Sequence, residues 1–168
     1  LTISIYHGFF DIVKFLYNLK GVDVNHKLYN GRNSIFKAVE GKNFEILKFL
    51  DENDENSSQI INMVDMNNWN LLDVASQYDC VEIIKYLVEK KGFDINNHNL
   101  MPIKNAIQNN CVEVTKYFLS LDYCQLIDQE SGSTLIHYAT FYMIEDILKL
   151  LIDSKKIDIN ATDKKGVF

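Results

Sequence analysis

The sequence predicts an all-α fold, a solenoid of stacked helix-turn-helix units joined by hairpin-like loops. Three recurrences carry that reading. The first is a hexapeptide of acid, aliphatic, any residue, Lys and two bulky apolar residues, at 11–16, 45–50, 82–87, 113–118 and 146–151. Its acids, Asp11, Glu45, Glu82, Glu113 and Asp146, stand 34, 37, 31 and 33 residues apart. The second is a small residue inside a short helical pattern ahead of it: Ala38, Ala75, Ala106 and Ala139, with Ser4 in the first copy. The third is an extended segment after it: Val22-Asp23-Val24-Asn25, Phe93-Asp94-Ile95-Asn96 and Ile157-Asp158-Ile159-Asn160, with degenerate versions at Ile60-Ile61-Asn62 and Leu126-Ile127-Asp128. A period in this range marks a repeat architecture, where one unit cannot bury its own apolar face and stacked copies can.

Each repeat then reads as a short helix, a tight turn, a longer helix and an extended loop. In the third, Asn70 caps the first helix, which puts Leu72, Ala75 and Ser76 on one face. Alanine there lets neighbouring helices approach closely. Glu82 opens the second helix, where its charge suits the positive end of the dipole. Ile83, Ile84, Tyr86 and Leu87 are its core residues, and Glu82 and Lys85 are placed to pair on the outer face. Gly92 after Lys90 and Lys91 stops the helix. Pro102, the one proline, falls at the start of a first helix, where its missing N–H costs nothing. The uneven intervals come from the ends of elements. Leu50 to Asn62 is twelve residues where other copies have nine, and Asn96 to Met101 is five where other loops have eight. Loop tips and helix ends tolerate such insertions best.

The 168 residues carry a net charge of -6, with no basic stripe. An acidic surface repels phosphate backbones, so nucleic acid is excluded as the expected partner. Three cysteines, Cys80, Cys111 and Cys124, are too few and too odd for a disulfide scaffold and suit a reducing compartment. No apolar run approaches the ~18 residues of a membrane span. The first residues lack the pattern of a secretory signal. The chain is therefore expected to be intracellular and cytoplasmic, and the glycosylation triplets at Asn56 and Asn160 to be chance. The Walker loop, the dinucleotide glycine fingerprint, the zinc helix and paired Cys-x-x-Cys are absent. His7, His26, His98 and His137 are isolated in sequence. Cys80 and Cys111 read as small buried hydrophobes at equivalent positions of adjacent repeats. No catalysis, cofactor or metal is expected.

The loop entry Gly21-Val22-Asp23-Val24-Asn25 and the run Thr134-Leu135-Ile136-His137-Tyr138-Ala139 resemble the ankyrin repeat, whose signature is Thr-Pro-Leu-His-x-Ala. Met101-Pro102-Ile103-Lys104-Asn105-Ala106 keeps the Pro and Ala. The resemblance covers nearly the whole chain. It implies one ankyrin domain over 1–168, with repeats at 26–62, 63–96, 97–128 and 129–160 and partial ones at 1–25 and 161–168. Only the fifth repeat keeps both Thr134 and His137, whose side chains brace the turn in the family. Elsewhere those positions hold Asn33 and Phe36, Asn70 and Asp73, or Met101 and Lys104, so uneven local stability is expected. The acid-rich stretch 51–58 is expected to be a mobile, solvated bulge. The ragged ends suggest a piece of a longer array.

Ankyrin proteins resemble a cupped hand whose partners touch the loop tips and the inner face of the first helices. The resemblance places the tips at 26–30, 63–69, 97–100 and 129–133. The inner positions are Tyr6 and His7, Lys37 and Glu40, Gln77 and Tyr78, Asn105 and Gln108, and Phe141 and Tyr142. Tyr29, Trp69, Tyr78 and Tyr142 are the candidate contact stripe, because aromatic anchors carry much area with little entropy to lose. The resemblance also raises hydroxylation of the loop asparagines Asn25, Asn96 and Asn160, against the reading that each supports its hairpin. The expected function is a monomeric scaffold that binds an unidentified protein partner. The alternative is the recognition arm of a larger enzyme or channel, such as a ubiquitin ligase or kinase.

Overall fold

The computed structural model describes residues 1–23, 25–53 and 60–167. The chain forms two compact units, Leu1–Ala75 and Ser76–Phe168. The boundary falls inside the third repeat, and each unit is built from helix pairs.

The first unit holds α1 (Thr2–Tyr6), α2 (Phe10–Tyr17), α3 (Ser34–Glu40), α4 (Phe44–Asn53) and α5 (Leu71–Ala75). First helices stack on first helices, α1 on α3 and α3 on α5, while α2 packs on α4 behind them. Ile5, Ile35, Phe36, Ala38, Val39, Leu71, Leu72, Val74 and Ala75 are buried between the first helices. The approach is close. A Cβ on Gly41 would stand 2.1 Å from the Tyr6 carbonyl oxygen, so no side chain fits there. Asn43, two residues on, ties the same stretch together: its Nδ2 donates to the carbonyls of Ile5 (2.7 Å) and Tyr6 (2.8 Å).

The second unit holds α6 (Val81–Lys85), which runs into a π-helical turn (Tyr86–Lys90), then α7 (Asn97–Gln108), α8 (Val112–Ser120), α9 (Leu135–Phe141) and α10 (Glu145–Asp153). Here α7 packs on α9, α8 on both α6 and α10, and each pair α7–α8 and α9–α10 on itself. The first residues of α7 are not helical: His98, Asn99 and Leu100 all have φ between 48° and 66°. The helix proper starts at Met101, which leaves Pro102 in its first turn as the sequence indicates. Gly92 ends the π turn, its N–H on the Val88 carbonyl (3.2 Å).

All four repeat alanines are fully buried, and the hexapeptide acids all lie in the first turns of their helices, exposed. The order of burial within the hexapeptide differs from the sequence reading. The third position, read as variable, is fully buried at Val13, Leu47, Ile84 and Thr115. The fifth is only half-buried at Phe49, Tyr86 and Tyr117 and exposed at Phe15. A helix turns about 100° per residue, so positions two, three and six share a face and position five swings away from it. Thr115 meets the core by donating its hydroxyl to the Cys111 carbonyl (2.8 Å). The Glu–Lys pair forms in the fourth repeat, Glu113 to Lys116 at 2.6 Å. In the third, Lys85 instead lies over the Tyr117 ring, 5.6 Å from its centroid.

The expected solvated bulge is corrected at its start. Asp51, Glu52 and Asn53 are helical, and Asp51 is 4% exposed. The remainder, 54–58, lies outside the described residues.

Between the two helices of every repeat the chain passes through the left-handed region once, at Gly8, Lys42, Asp79, Asn110 and Met143, with φ between 52° and 77°. Those positions recur at the intervals of the hexapeptide.

Candidate functional site

The loops are built by aspartates that accept backbone N–H groups. The third-element acids Asp23, Asp94 and Asp158 each accept the N–H two residues on, from Asn25, Asn96 and Asn160 (2.8–2.9 Å). A second set follows. Asp65 Oδ1 accepts from Asn67 (2.8 Å) and Trp69 (3.1 Å), Asp128 Oδ1 from Glu130 (2.8 Å) and Ser131 (3.0 Å), and Asp163 Oδ1 from Lys165 (2.8 Å) and Val167 (2.9 Å). Each of these turns is closed by a backbone bond, such as Asp65 N to Trp69 O at 2.9 Å. Neighbouring loops are joined by Met66 N to Asn30 O (3.1 Å) and Lys164 N to Ser131 O (3.0 Å).

The helix starts are braced in two chemistries. The Thr134 backbone N–H donates to His137 Nδ1 (3.0 Å), and the Thr134 side chain takes the His137 backbone N–H. With Nδ1 accepting, Nε2 carries the proton and donates to the Val167 carbonyl (3.0 Å). In the third repeat Asn70 and Asp73 form the same reciprocal box. Asn70 N donates to Asp73 Oδ2, and Asp73 N to Asn70 Oδ1, both at 2.9 Å. The expectation that this repeat lacks the brace is therefore corrected: Asp supplies the acceptor that His supplies elsewhere.

Paired helices in register, a left-handed turn in each pair and loop-to-loop bonding are the geometry of one repeat family. The family described as ankyrin repeats (3 copies) matches residues 1–99 and 96–163. The chain belongs to the ankyrin-repeat family. A search of curated proteins finds no match. Ankyrin repeats are in general protein-binding modules. No helix among the described residues is long and apolar enough to cross a membrane.

Of the four candidate contact residues, Tyr29 stands 96% exposed at its loop tip. Trp69, Tyr78 and Tyr142 are half-buried. Tyr29 and Trp69 belong to the first unit, Tyr78 and Tyr142 to the second. The backbone of Trp69 is engaged by Asp65, and Tyr142 meets Phe141 edge-on with centroids 5.1 Å apart. Two inner positions of the ankyrin array are occupied by the fold itself. Glu40 is buried between Arg32 (2.7 Å) and Lys37 (2.5 Å), and Asn105 is 3% exposed.

Two ionic clusters were not legible in the sequence. Arg32, the chain's one arginine, donates to Glu40 and, through Nε and Nη2, to Asp65 (2.9 and 2.8 Å). Burial disfavours the charge on both, yet the paired hydrogen bonds outweigh it: the Asp65 carboxyl is held below and the Arg32 guanidinium above their ordinary ranges. In the second unit Asp128 accepts from Lys104 (2.5 Å), Tyr138 OH (2.5 Å) and Asn99 Nδ2 (3.0 Å). Burial again pushes its carboxyl up, but the Lys104 and Tyr138 bonds hold it far below the usual carboxylate range. Both clusters fix loops.

Beside Tyr142 stand Phe141, one of the expected inner positions, and Met143, which the sequence reading missed. Phe141 is 77% and Met143 88% exposed. Phe141 borders a cleft of about 430 Å³ lined by Ile136, His137, Thr140, Tyr142, Ile159 and Val167 among others. Met143 carries no mark of the repeat because it precedes the hexapeptide, in the turn. The loop asparagine Asn96 is committed to its neighbours: Nδ2 donates to the Tyr123 carbonyl and Oδ1 accepts the Gln125 N–H, both at 2.9 Å. Cys80 and Cys111 sit at the starts of α6 and α8, and Cys111 is buried while Cys80 is half-buried. Burial pushes the Cys124 thiol up to about 11, which leaves little nucleophilic thiolate. Among the described residues no three His, Cys, Asp or Glu side chains converge as a metal set.

Proposed function

We propose that this ankyrin array is a protein-interaction scaffold that performs no chemistry of its own. It holds a protein partner on the loop tips and the exposed faces of the first helices. The observation that carries the reading is Tyr29, which is 96% exposed on a loop whose backbone is pinned to the next loop. A large aromatic presented on a fixed turn loses little entropy on binding. Trp69 in the same unit, and Tyr78 and Tyr142 in the other, are the remaining contacts. We assign the array to a single domain over 1–168, monomeric and cytoplasmic. The free thiols of Cys80, Cys111 and Cys124 are in keeping with a reducing compartment.

The test is affinity capture with three baits matched for helicity by circular dichroism. They are the parent, Tyr29→Ala with Trp69→Ala, and Tyr78→Ala with Tyr142→Ala. A protein retained by the parent and lost with either pair supports the assignment and shows which unit it reads. Equal capture by all three overturns the aromatic contacts.

A further inference from the structure

We propose that Asn30 is a self-modification site, where the backbone nitrogen of Gly31 attacks the Asn30 side-chain amide and converts residue 30 to a mixture of aspartate and isoaspartate. Asn30 is the one asparagine of the sequence that precedes a glycine. The fold itself demands that glycine. Gly31 has φ +80°, and a Cβ there would stand 3.2 Å from the Met66 backbone nitrogen. A side chain at residue 31 would be both strained and crowded, so the nitrogen stays unshielded. The Asn30 side chain is also folded back along the same backbone, because its Oδ1 accepts the Arg32 N–H (3.2 Å). That bond draws electron density from the amide carbon, as a donor does at any carbonyl under attack. The neighbouring Tyr29 is 96% exposed, so water reaches the turn.

The step balances with water alone. A solvent base removes the Gly31 N–H proton and the nitrogen bonds to Asn30 Cγ. The Cγ–Nδ2 bond breaks, and the amide nitrogen leaves as ammonia after gaining a proton from water. A five-membered imide remains. Water adding at Cγ restores the ordinary backbone with an aspartate side chain. Water adding at the main-chain carbonyl carbon sends the backbone through Cβ as isoaspartate. Nothing is oxidised or reduced.

The turn both restrains and amplifies the reaction. Gly31 N–H donates to the Leu28 carbonyl (2.9 Å), so ring closure waits for that bond to open. The Asn30 carbonyl accepts the Met66 N–H (3.1 Å), the bond that joins this loop to the next. In isoaspartate that carbonyl becomes a free carboxylate, and the main chain, now running through Cβ and Cγ, lengthens by a methylene. The loop carrying Tyr29 then no longer meets the loop carrying Trp69 through a main-chain carbonyl, and its register against it changes.

The experiment incubates the full chain at neutral and mildly alkaline pH. It reads isoaspartate by methyltransferase labelling and peptide mass, and the imide by hydroxylamine cleavage between residues 30 and 31. A peptide spanning 26–34 is treated alongside. The expected result is conversion at Asn30 that rises with pH, exceeds that at every other asparagine, and is lost in Asn30→Ser. Conversion of the peptide while Asn30 of the folded chain stays intact over the same period overturns the proposal.

Discussion

Replacing Asp128 with Asn should remove a large part of the stability of the loop between α8 and α9. The carboxylate is 3% exposed and takes five hydrogen-bond donors: Lys104, Tyr138, Asn99 and the backbone of Glu130 and Ser131. The amide keeps the shape and loses the charge, and it points an N–H₂ at groups that are themselves donors. Lys104, with its side chain 16% exposed, is left without its counter-charge. Breaking a buried ion pair from one side costs about 3–5 kcal/mol. The residual exposure of Lys104 puts this case near the lower end, about 3 kcal/mol. Adding Lys104→Met should recover part of that loss, because the stranded cation is then gone. Urea unfolding of the full chain gives the total, and hydrogen exchange at the Asp128, Gly132 and Leu135 amides localises it. Those amides donate to Ser133, Asp128 and Leu126. A pH series supplies the second arm. The folded carboxyl sits far below its unfolded value of about 3.9, so its contribution is complete above that pH and drains away as pH falls below it. Asp128→Asn should lack this acid-dependent loss. A cost below about 1 kcal/mol, the level of an exposed pair, with an unchanged acid profile would refute the reasoning.

Two further substitutions test the backbone. Gly41→Ala places a methyl 2.1 Å from the Tyr6 carbonyl oxygen, and should destabilise the first unit by at least the ~1–3 kcal/mol of ordinary overpacking, read as a lowered urea midpoint. Met143→Gly relieves a bulky residue held at φ 57° and should raise the thermal midpoint. A left-handed residue costs roughly 1–2 kcal/mol and glycine returns part of that in chain entropy, so a net gain of up to about 1 kcal/mol is expected. Met143 is 88% exposed and has little packing to lose, so an unchanged or lower midpoint would refute the strain assigned to this turn.

The helices were legible because their marks are local. An acid, an aliphatic residue and a lysine at fixed spacing define α2, α4, α6, α8 and α10 without reference to anything distant. Pro102 and Gly92 mark their boundaries for the same reason. What binds one repeat to the next was not legible. Arg32 meets Asp65 across 33 residues and Lys104 meets Asp128 across 24, and neither pair repeats in sequence. The cap at Asn70 was legible, but its box with Asp73 was not, because the pair departs from the Thr and His of the signature although a helix start needs only an acceptor at each end. Lys37 and Glu40 were expected as inner positions of α3, but a position in sequence does not reveal that the two side chains are already engaged with each other.

The turn at Gly8, Lys42, Asp79, Asn110 and Met143 keeps one backbone shape with five different side chains. From Lys42 onward each of those side chains is exposed. The dihedral angle is what the five positions share; at Asp79 the side chain also binds, accepting the Val114 N–H at 2.9 Å. Gly8 is hemmed in by Asn43, but the exposed side chains of Lys42, Asn110 and Met143 are blank addresses, points where a group can be exchanged, lengthened or chemically labelled without rewriting the helices on either side.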